Sequence, residues 1–112
     1  MKVDEPEADD DGYLTDEYLE CVRSYEFDML KSERYMIEVF PDACALMPAC
    51  RATISDAKSA LGRSIKTVDF STGGWSGAEE FLDILLGKFW IAHLHTRWER
   101  GGHYWFEIPV RP

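Results

Sequence analysis

The most informative segment of the chain is residues 64–86, which read SIKTVDFSTGGWSGAEEFLDILL. Its first seven residues largely alternate polar and apolar side chains, the pattern of a half-buried β-strand. Residues 78–86 carry apolar side chains at helical spacing. The segment therefore predicts a strand, a glycine-rich turn and a helix in succession.

The residues that follow have the pattern of a β-hairpin. Residues 89–99 and 103–108 look extended, and Gly101 and Gly102 between them favour a turn because both tolerate positive φ. If these two glycines form the whole turn, Arg100 pairs with His103 and Trp98 pairs with Trp105.

The N-terminal half is predicted to be helical. A first helix begins at Thr15 or Asp16 and runs to residue 25, and a second covers residues 27–40 and ends or bends at Pro41. Alanine-rich residues 42–61 predict a third helix, which Pro48 breaks or kinks and Gly62 terminates. The predicted fold class is α+β, with N-terminal helices followed by strand, helix, strand and strand, and a small antiparallel sheet.

The chain has 112 residues and 46% hydrophobic residues, enough for one domain with a single core. Its net charge is -9, and residues 1–20 hold nine acids against Lys2 alone. We expect residues 1–12 to form an acidic disordered tail and residues 13–112 to form the domain. Alternatively, the acids imitate a nucleic-acid backbone or bind a basic protein. Direct nucleic-acid binding is disfavoured, since only 12 Lys and Arg are scattered over the chain.

The cysteines predict a reducing compartment. Cys21, Cys44 and Cys50 are odd in number and include no C-x-x-C pair, so we expect reduced thiols rather than disulfides or a zinc site. No apolar run reaches the roughly 18 residues of a membrane span. The expected location is the cytoplasm, with no membrane association and no cofactor.

The glycine-rich turn has three interpretations. Gly73 and Gly74 before a helix resemble a phosphate-binding loop, but no Walker lysine is present and two glutamates follow. A capping box between Ser76 and Glu79 explains the same residues better. Ser76 as an esterase nucleophile would need a much larger sheet than this chain can form.

Three histidines, His93, His95 and His103, invite a metal site. The two-residue turn places His103 on the opposite face of the hairpin from His95. We therefore expect hydrogen-bonded structural histidines and no metal.

Aromatic residues are concentrated in the hairpin and lie on both of its faces. One face can pack on the helices while the other is left for a protein partner or a second copy of the chain, as a possible homodimer. The predicted binding residues are Trp75, Trp98, His103 and Trp105.

The strings DFSTGGWSGAEEFLDILL and RGGHYWFEI resemble a motif pair of small uncharacterised proteins encoded by bacteriophages and prophages. The resemblance covers residues 68–108, and Ala78 stands where Asn is more typical. It implies a role inside the bacterial host cell. For such proteins that role is commonly to bind and inhibit a host factor, including defence machinery.

Two functional hypotheses follow. The leading one is a non-enzymatic protein that binds a host protein through its aromatic hairpin. The alternative is a small-ligand or enzymatic site where the glycine loop meets the hairpin, with carboxylates and an imidazole for acid–base chemistry. Its candidate catalytic residues are Ser76, Glu79, His103 and Glu107.

Overall fold

The computed structural model describes residues 2–111 and confirms the α+β class, with helices and a four-stranded antiparallel sheet. In chain order the elements are α1 (Asp16–Ser24), α2 (Met29–Arg34), a π-helical turn (Tyr35–Val39), α3 (Phe40–Ala45), β1 (Arg51–Lys58), β2 (Ser64–Ser71), α4 (Ser76–Leu86), α5 (Phe89–Leu94), β3 (His95–Glu99) and β4 (His103–Pro109). Within residues 2–111, no helix has the length and apolar character needed to cross a membrane.

The first helix begins where its cap was predicted. The Thr15 side chain accepts a hydrogen bond from the Tyr18 amide, which satisfies one of the unpaired donors at the start of α1. At the other end, the Lys88 ammonium donates to the carbonyl oxygens of Arg23 and Tyr25. Lys88 therefore links the end of α1 to the junction between α4 and α5.

The second predicted helix does not end at Pro41. The helical segment continues past the proline to Ala45, and the residues before it form the π-helical turn. Within that turn the Phe40 amide donates to the Tyr35 carbonyl, five residues back. A wider turn at this point accommodates a proline that cannot donate to the residue four positions earlier.

The helix predicted for residues 42–61 is wrong beyond residue 45, because residues 51–58 of this segment form β1. Ala52 and Ile54 face the core while Thr53 and Ser55 are exposed, so the true period is two. Small alanine side chains hid this alternation. Gly62, expected to end a helix, instead lies in the β1–β2 turn with φ +79°.

The extended conformation predicted for residues 89–94 is also wrong, since these residues form α5. Ile91 and Leu94 are both buried. A spacing of three residues places both side chains on one face of a helix, whereas in a strand they would point to opposite faces.

The core lies between the helices and one face of the sheet. The ring of Phe40 from α3 lies 4.9 Å from Phe70, 5.8 Å from Phe81 and 6.2 Å from Phe106, measured between ring centroids. These residues come from α3, β2, α4 and β4, and all four are fully buried. The helices thus cover one face of the sheet.

Val3 and Ala8 pack against the core, which differs from the disordered tail expected for residues 1–12. Val3 is only 6% exposed, and its carbonyl accepts a 2.8 Å hydrogen bond from the Tyr18 hydroxyl. Ala8 and Leu14 form an antiparallel bridge. Asp4 forms an ion pair with Arg34. The few apolar residues among the acids are enough to hold the segment on the domain.

Candidate functional site on the uncovered sheet face

The β3–β4 hairpin has a three-residue loop, so the pairing expected from a two-residue turn is wrong. Glu99 lies opposite His103, Trp98 opposite Tyr104 and Arg97 opposite Trp105. The Gly102 carbonyl accepts a 3.0 Å hydrogen bond from the Thr72 amide, which holds the end of the loop against the glycine-rich turn. This contact between distant segments is not visible in the local sequence pattern.

The observed register brings two rows of side chains across all four strands, on the face that the helices leave uncovered. We call this surface the outer face. The first row is Arg51, Ser71, His103 and Glu99, and the second is Thr53, Asp69, Trp105 and Arg97.

Trp105 is the large aromatic residue of the outer face. The Arg97 guanidinium carbon lies 4.5 Å from the centre of the Trp105 ring, a cation–π geometry. On the same strand, the His103 ring is stacked near the indole at 6.1 Å between centroids and 26° between planes. Trp105 is thus half-buried between the Arg97 guanidinium and the His103 imidazole, and part of its side chain still faces solvent.

A cleft of about 440 Å³ lies beside this tryptophan. It is lined by Ala49, Arg51, Thr53, Asp69, Ser71 and His103. Gly73 packs so closely on its rim that a Cβ there would lie 2.3 Å from the Ala49 carbonyl oxygen. The cleft therefore presents a guanidinium, a carboxylate and an imidazole on a rim that the glycine-rich turn supports.

Thr72 connects the glycine-rich turn to α4. Its buried hydroxyl donates to the Glu79 carboxylate over 3.1 Å and accepts from the Gly74 amide over 3.2 Å. Sequence reasoning missed this residue, although a threonine next to two glycines and seven residues before a glutamate was a usable signal. Glu79 thus helps to hold the loop and is only partly accessible.

The capping box predicted between Ser76 and Glu79 does not form. Trp75 is the N-cap residue of α4, and its side chain makes no capping hydrogen bond in the described part of the chain. The Ser76 hydroxyl lies 3.4 Å from the Tyr13 hydroxyl, and the Tyr13 and Trp75 rings are 4.6 Å apart. A Cβ at Gly77 would lie 2.7 Å from Trp75 Nε1 and 2.8 Å from the Tyr13 ring, so glycine allows this packing.

The four residues of the enzymatic hypothesis are not brought together. Ser76 contacts Tyr13, and Glu79 is held by Thr72. His103 and Glu107 share one face of β4, but four residues of antiparallel strand separate them by about 14 Å. Acid–base chemistry that needs all four groups around one substrate has no geometric support.

Trp98 lies on the opposite side of the hairpin from Trp105. It pairs with Tyr104 and is 57% exposed. The predicted binding residues therefore lie in three places. His103 and Trp105 are on the outer face, Trp98 is on the other side of the hairpin, and Trp75 packs on Tyr13.

The three histidines occupy three different environments. His93 stacks on Phe89 in α5, and the His95 ring contacts Phe106 with a centroid distance of 5.2 Å. His103 is on the outer face. Over residues 2–111, no group of three His, Cys, Asp or Glu side chains could hold a metal ion.

Comparison of the chain with known protein families, with curated proteins and with solved structures found no match.

Proposed function

We propose that the protein is a non-enzymatic binding protein whose outer face docks on a bacterial host protein. The observation that carries the proposal is Trp105, held between Arg97 and His103 on the sheet face that the helices leave uncovered. Tryptophan and arginine dominate the binding energy of many protein interfaces, and a rigidly held indole loses little entropy on binding.

Charge on the outer face supports a specific partner rather than a purely apolar contact. Arg51 and Asp69 occupy neighbouring rows, and Arg97 forms an ion pair with Glu99. The charges around Trp105 alternate in sign. Such a patch is complementary to a partner surface with the opposite pattern of charges, and this complementarity fixes the orientation of docking.

The acidic character of the rest of the molecule supports a basic partner. The net charge is -9, and the acids of residues 1–20 are mostly exposed. A field of one sign accelerates association with a surface of the opposite sign, and this effect weakens with salt. The resemblance to phage-encoded proteins supports a host factor as the partner, with inhibition by occupying its surface as the consequence.

The proposal is tested by affinity purification from bacterial lysate with three tagged proteins: wild type, Trp105→Ala and Trp98→Ala. The two variants remove the same side chain from opposite sides of one hairpin, so Trp98→Ala is a matched control. We expect a stoichiometric partner that wild type and Trp98→Ala retain and Trp105→Ala loses, with all three proteins folded by circular dichroism.

Two results would count against the proposal. Loss of the partner only in Trp98→Ala would show that the partner binds the other side of the hairpin. Recovery of the tagged protein with an untagged copy of itself, and nothing else, would indicate a homodimer instead of a host complex.

A small-ligand site is the second candidate, favoured by the cleft beside Trp105. Arg51 and Asp69 line it, and neither has an ion-pair partner within the described residues. Opposite charges on one cleft suit a small zwitterion such as an amino acid. A thermal-shift screen of amino acids with wild type and Arg51→Ala tests this: stabilisation of the wild type alone supports the cleft, and no shift rejects it.

A further inference from the structure

Strand β1 forms an open edge of the sheet. The strand order is β1-β2-β4-β3, and the eight residues of β1 pair with β2 on one side only. Within residues 2–111, none of the backbone hydrogen bonds outside the helices and the sheet involves β1. The backbone amides and carbonyls that point away from β2 are therefore free to pair with another strand.

The opposite edge strand, β3, is protected from such pairing. It has only five residues, and its register with β4 shifts between His95 and Arg97. A short edge with an irregular register presents few aligned backbone groups to another strand. In contrast, β1 pairs with β2 without a shift from Arg51 to Lys58 and contains no proline. Of the two edges, β1 is the one that a further strand fits.

Side-chain orientation restricts how two copies of β1 can pair. In an antiparallel pair, residues that lie opposite each other point to the same face of the sheet. A continuous sheet with the helices of both copies on one side therefore sets odd-numbered residues opposite odd-numbered ones, and even opposite even. A two-fold axis at Ile54 meets this condition and aligns residues 51–57 of the two copies in opposite directions.

The axis at Ile54 also gives the most complementary side-chain pairs. Ile54 packs against the core and lies opposite its own copy on the helix side of the sheet. Thr53 lies opposite Ser55 of the second copy, a pair that suits hydrogen bonds between hydroxyls. Asp56 lies opposite Ala52, so no two like charges face each other. An axis at Ser55 sets Ile54 against the Asp56 carboxylate, and an axis at Thr53 aligns a shorter stretch.

The charge of β1 also favours a second copy at this edge. Residues 1–20 hold nine acids against Lys2 alone, whereas β1 carries two bases, Arg51 and Lys58, and one acid, Asp56. Two copies of a chain with a net charge of -9 repel each other least where the local charge is not negative. The β1 edge is such a place.

We propose that the protein forms a two-fold symmetric dimer in which the β1 strands of two copies pair antiparallel about Ile54 and join the two four-stranded sheets into one. Trp105 lies on β4, which β2 separates from the dimer axis, so the pairing leaves the indole uncovered. The dimer brings two outer faces side by side. Two docking surfaces in one assembly strengthen attachment to a partner that is itself repeated or dimeric.

Two double variants test the pairing and its register. Thr53 and Ser55 are both exposed, so substitutions there leave the core unchanged. In Thr53→Lys/Ser55→Glu each introduced lysine lies opposite a glutamate of the other copy, whereas in Thr53→Lys/Ser55→Lys it lies opposite another lysine. Sedimentation velocity of the purified proteins up to millimolar concentration measures dimer formation, and circular dichroism checks the fold. We expect dimers for wild type and the Lys/Glu variant, and a dissociation constant at least about tenfold higher for the Lys/Lys variant.

Net charge cannot produce this order, because the Lys/Lys variant is less negative than the wild type and general repulsion between its copies is weaker. A wild type that stays monomeric at every concentration would overturn the proposal, and so would equal dimer formation by the two variants. A monomeric Lys/Glu variant would exclude the axis at Ile54. The purified chain is measured alone, so each of these results is independent of the proposed host complex.

Discussion

The guanidinium of Arg97 covers the ring of Trp105, with 4.5 Å between the Arg97 Cζ atom and the ring centre. The two residues are direct cross-strand partners on β3 and β4, so the register of the hairpin fixes the contact. Because this register is set by the three-residue loop, the backbone itself holds the indole on the outer face.

Removing the guanidinium should weaken the partner complex while the fold persists. We expect Arg97→Ala to lower affinity about five- to thirty-fold, since the indole loses its cationic neighbour and part of its rigidity. Arg100→Ala, in the exposed hairpin loop, removes the same charge from the same hairpin and should change affinity little. Isothermal titration with the purified partner measures both. Equal losses of affinity in the two variants would indicate that the net charge of the hairpin, and not the contact with Trp105, controls binding.

Gly102 should be far less replaceable than Gly101, although both have positive φ. A Cβ at Gly102 would lie 2.1 Å from the Thr72 hydroxyl, whereas the nearest atom to a Cβ at Gly101 is 3.8 Å away. We expect Gly102→Ala to lower the free energy of unfolding by about 2–4 kcal/mol and Gly101→Ala by about 1 kcal/mol. Urea unfolding of the two variants gives the comparison. Similar losses of unfolding free energy in the two variants would mean that the hairpin loop does not pack on Thr72.

Packing of the acidic segment predicts a stability effect at Val3. This side chain is 6% exposed and its carbonyl holds the Tyr18 hydroxyl. Val3→Ser should lower the free energy of unfolding by about 1–2 kcal/mol through lost apolar burial. Glu5→Ser, at an exposed position, should be nearly neutral. If chemical denaturation showed no difference between the two variants, the segment would be a tail as its composition suggested.

Alkaline pH should destabilise the protein through its buried tyrosine pair. The hydroxyls of Tyr18 and Tyr35 lie 2.7 Å apart, and burial raises the pKa of Tyr18 to about 12, although its hydrogen bond with Tyr35 opposes this rise. In the unfolded chain the same hydroxyl loses its proton near pH 10. The unfolded state therefore binds fewer protons between pH 10 and about 12, and the free energy of unfolding falls over that window.

Denaturant titrations below and above about pH 10 measure this fall, and Tyr18→Phe provides the control. The variant has no hydroxyl to ionise at that position, so its stability should decline less steeply with pH. A decline as steep as that of the wild type would assign the alkaline sensitivity to other groups.

Much of the fold could be predicted where one residue pattern dominated its segment. Residues 64–70 largely alternate and lie within β2, and Thr15 caps α1 as expected. Elements whose pattern was weak were misjudged. In β1 the alternation involves alanine and serine, which have little hydrophobic contrast, and α5 is too short for a helical period to appear.

The site was less predictable than the fold because it depends on register. His103 and Trp105 were expected to contribute, and they do lie on the outer face. Arg97 was not identified, since a two-residue turn would have placed it beside another residue. Asp69 and Arg51 come from strands whose pairing no local pattern could show.

Histidine labelling tests whether the outer face contacts the proposed host partner. His93 and His103 are both exposed but lie on α5 and on the outer face respectively. After partner capture, diethylpyrocarbonate labelling of the free protein and of the complex is compared by mass spectrometry. We expect His103 to become protected in the complex, while His93 labels as it does in the free protein. Unchanged labelling of His103 in a stoichiometric complex would contradict it.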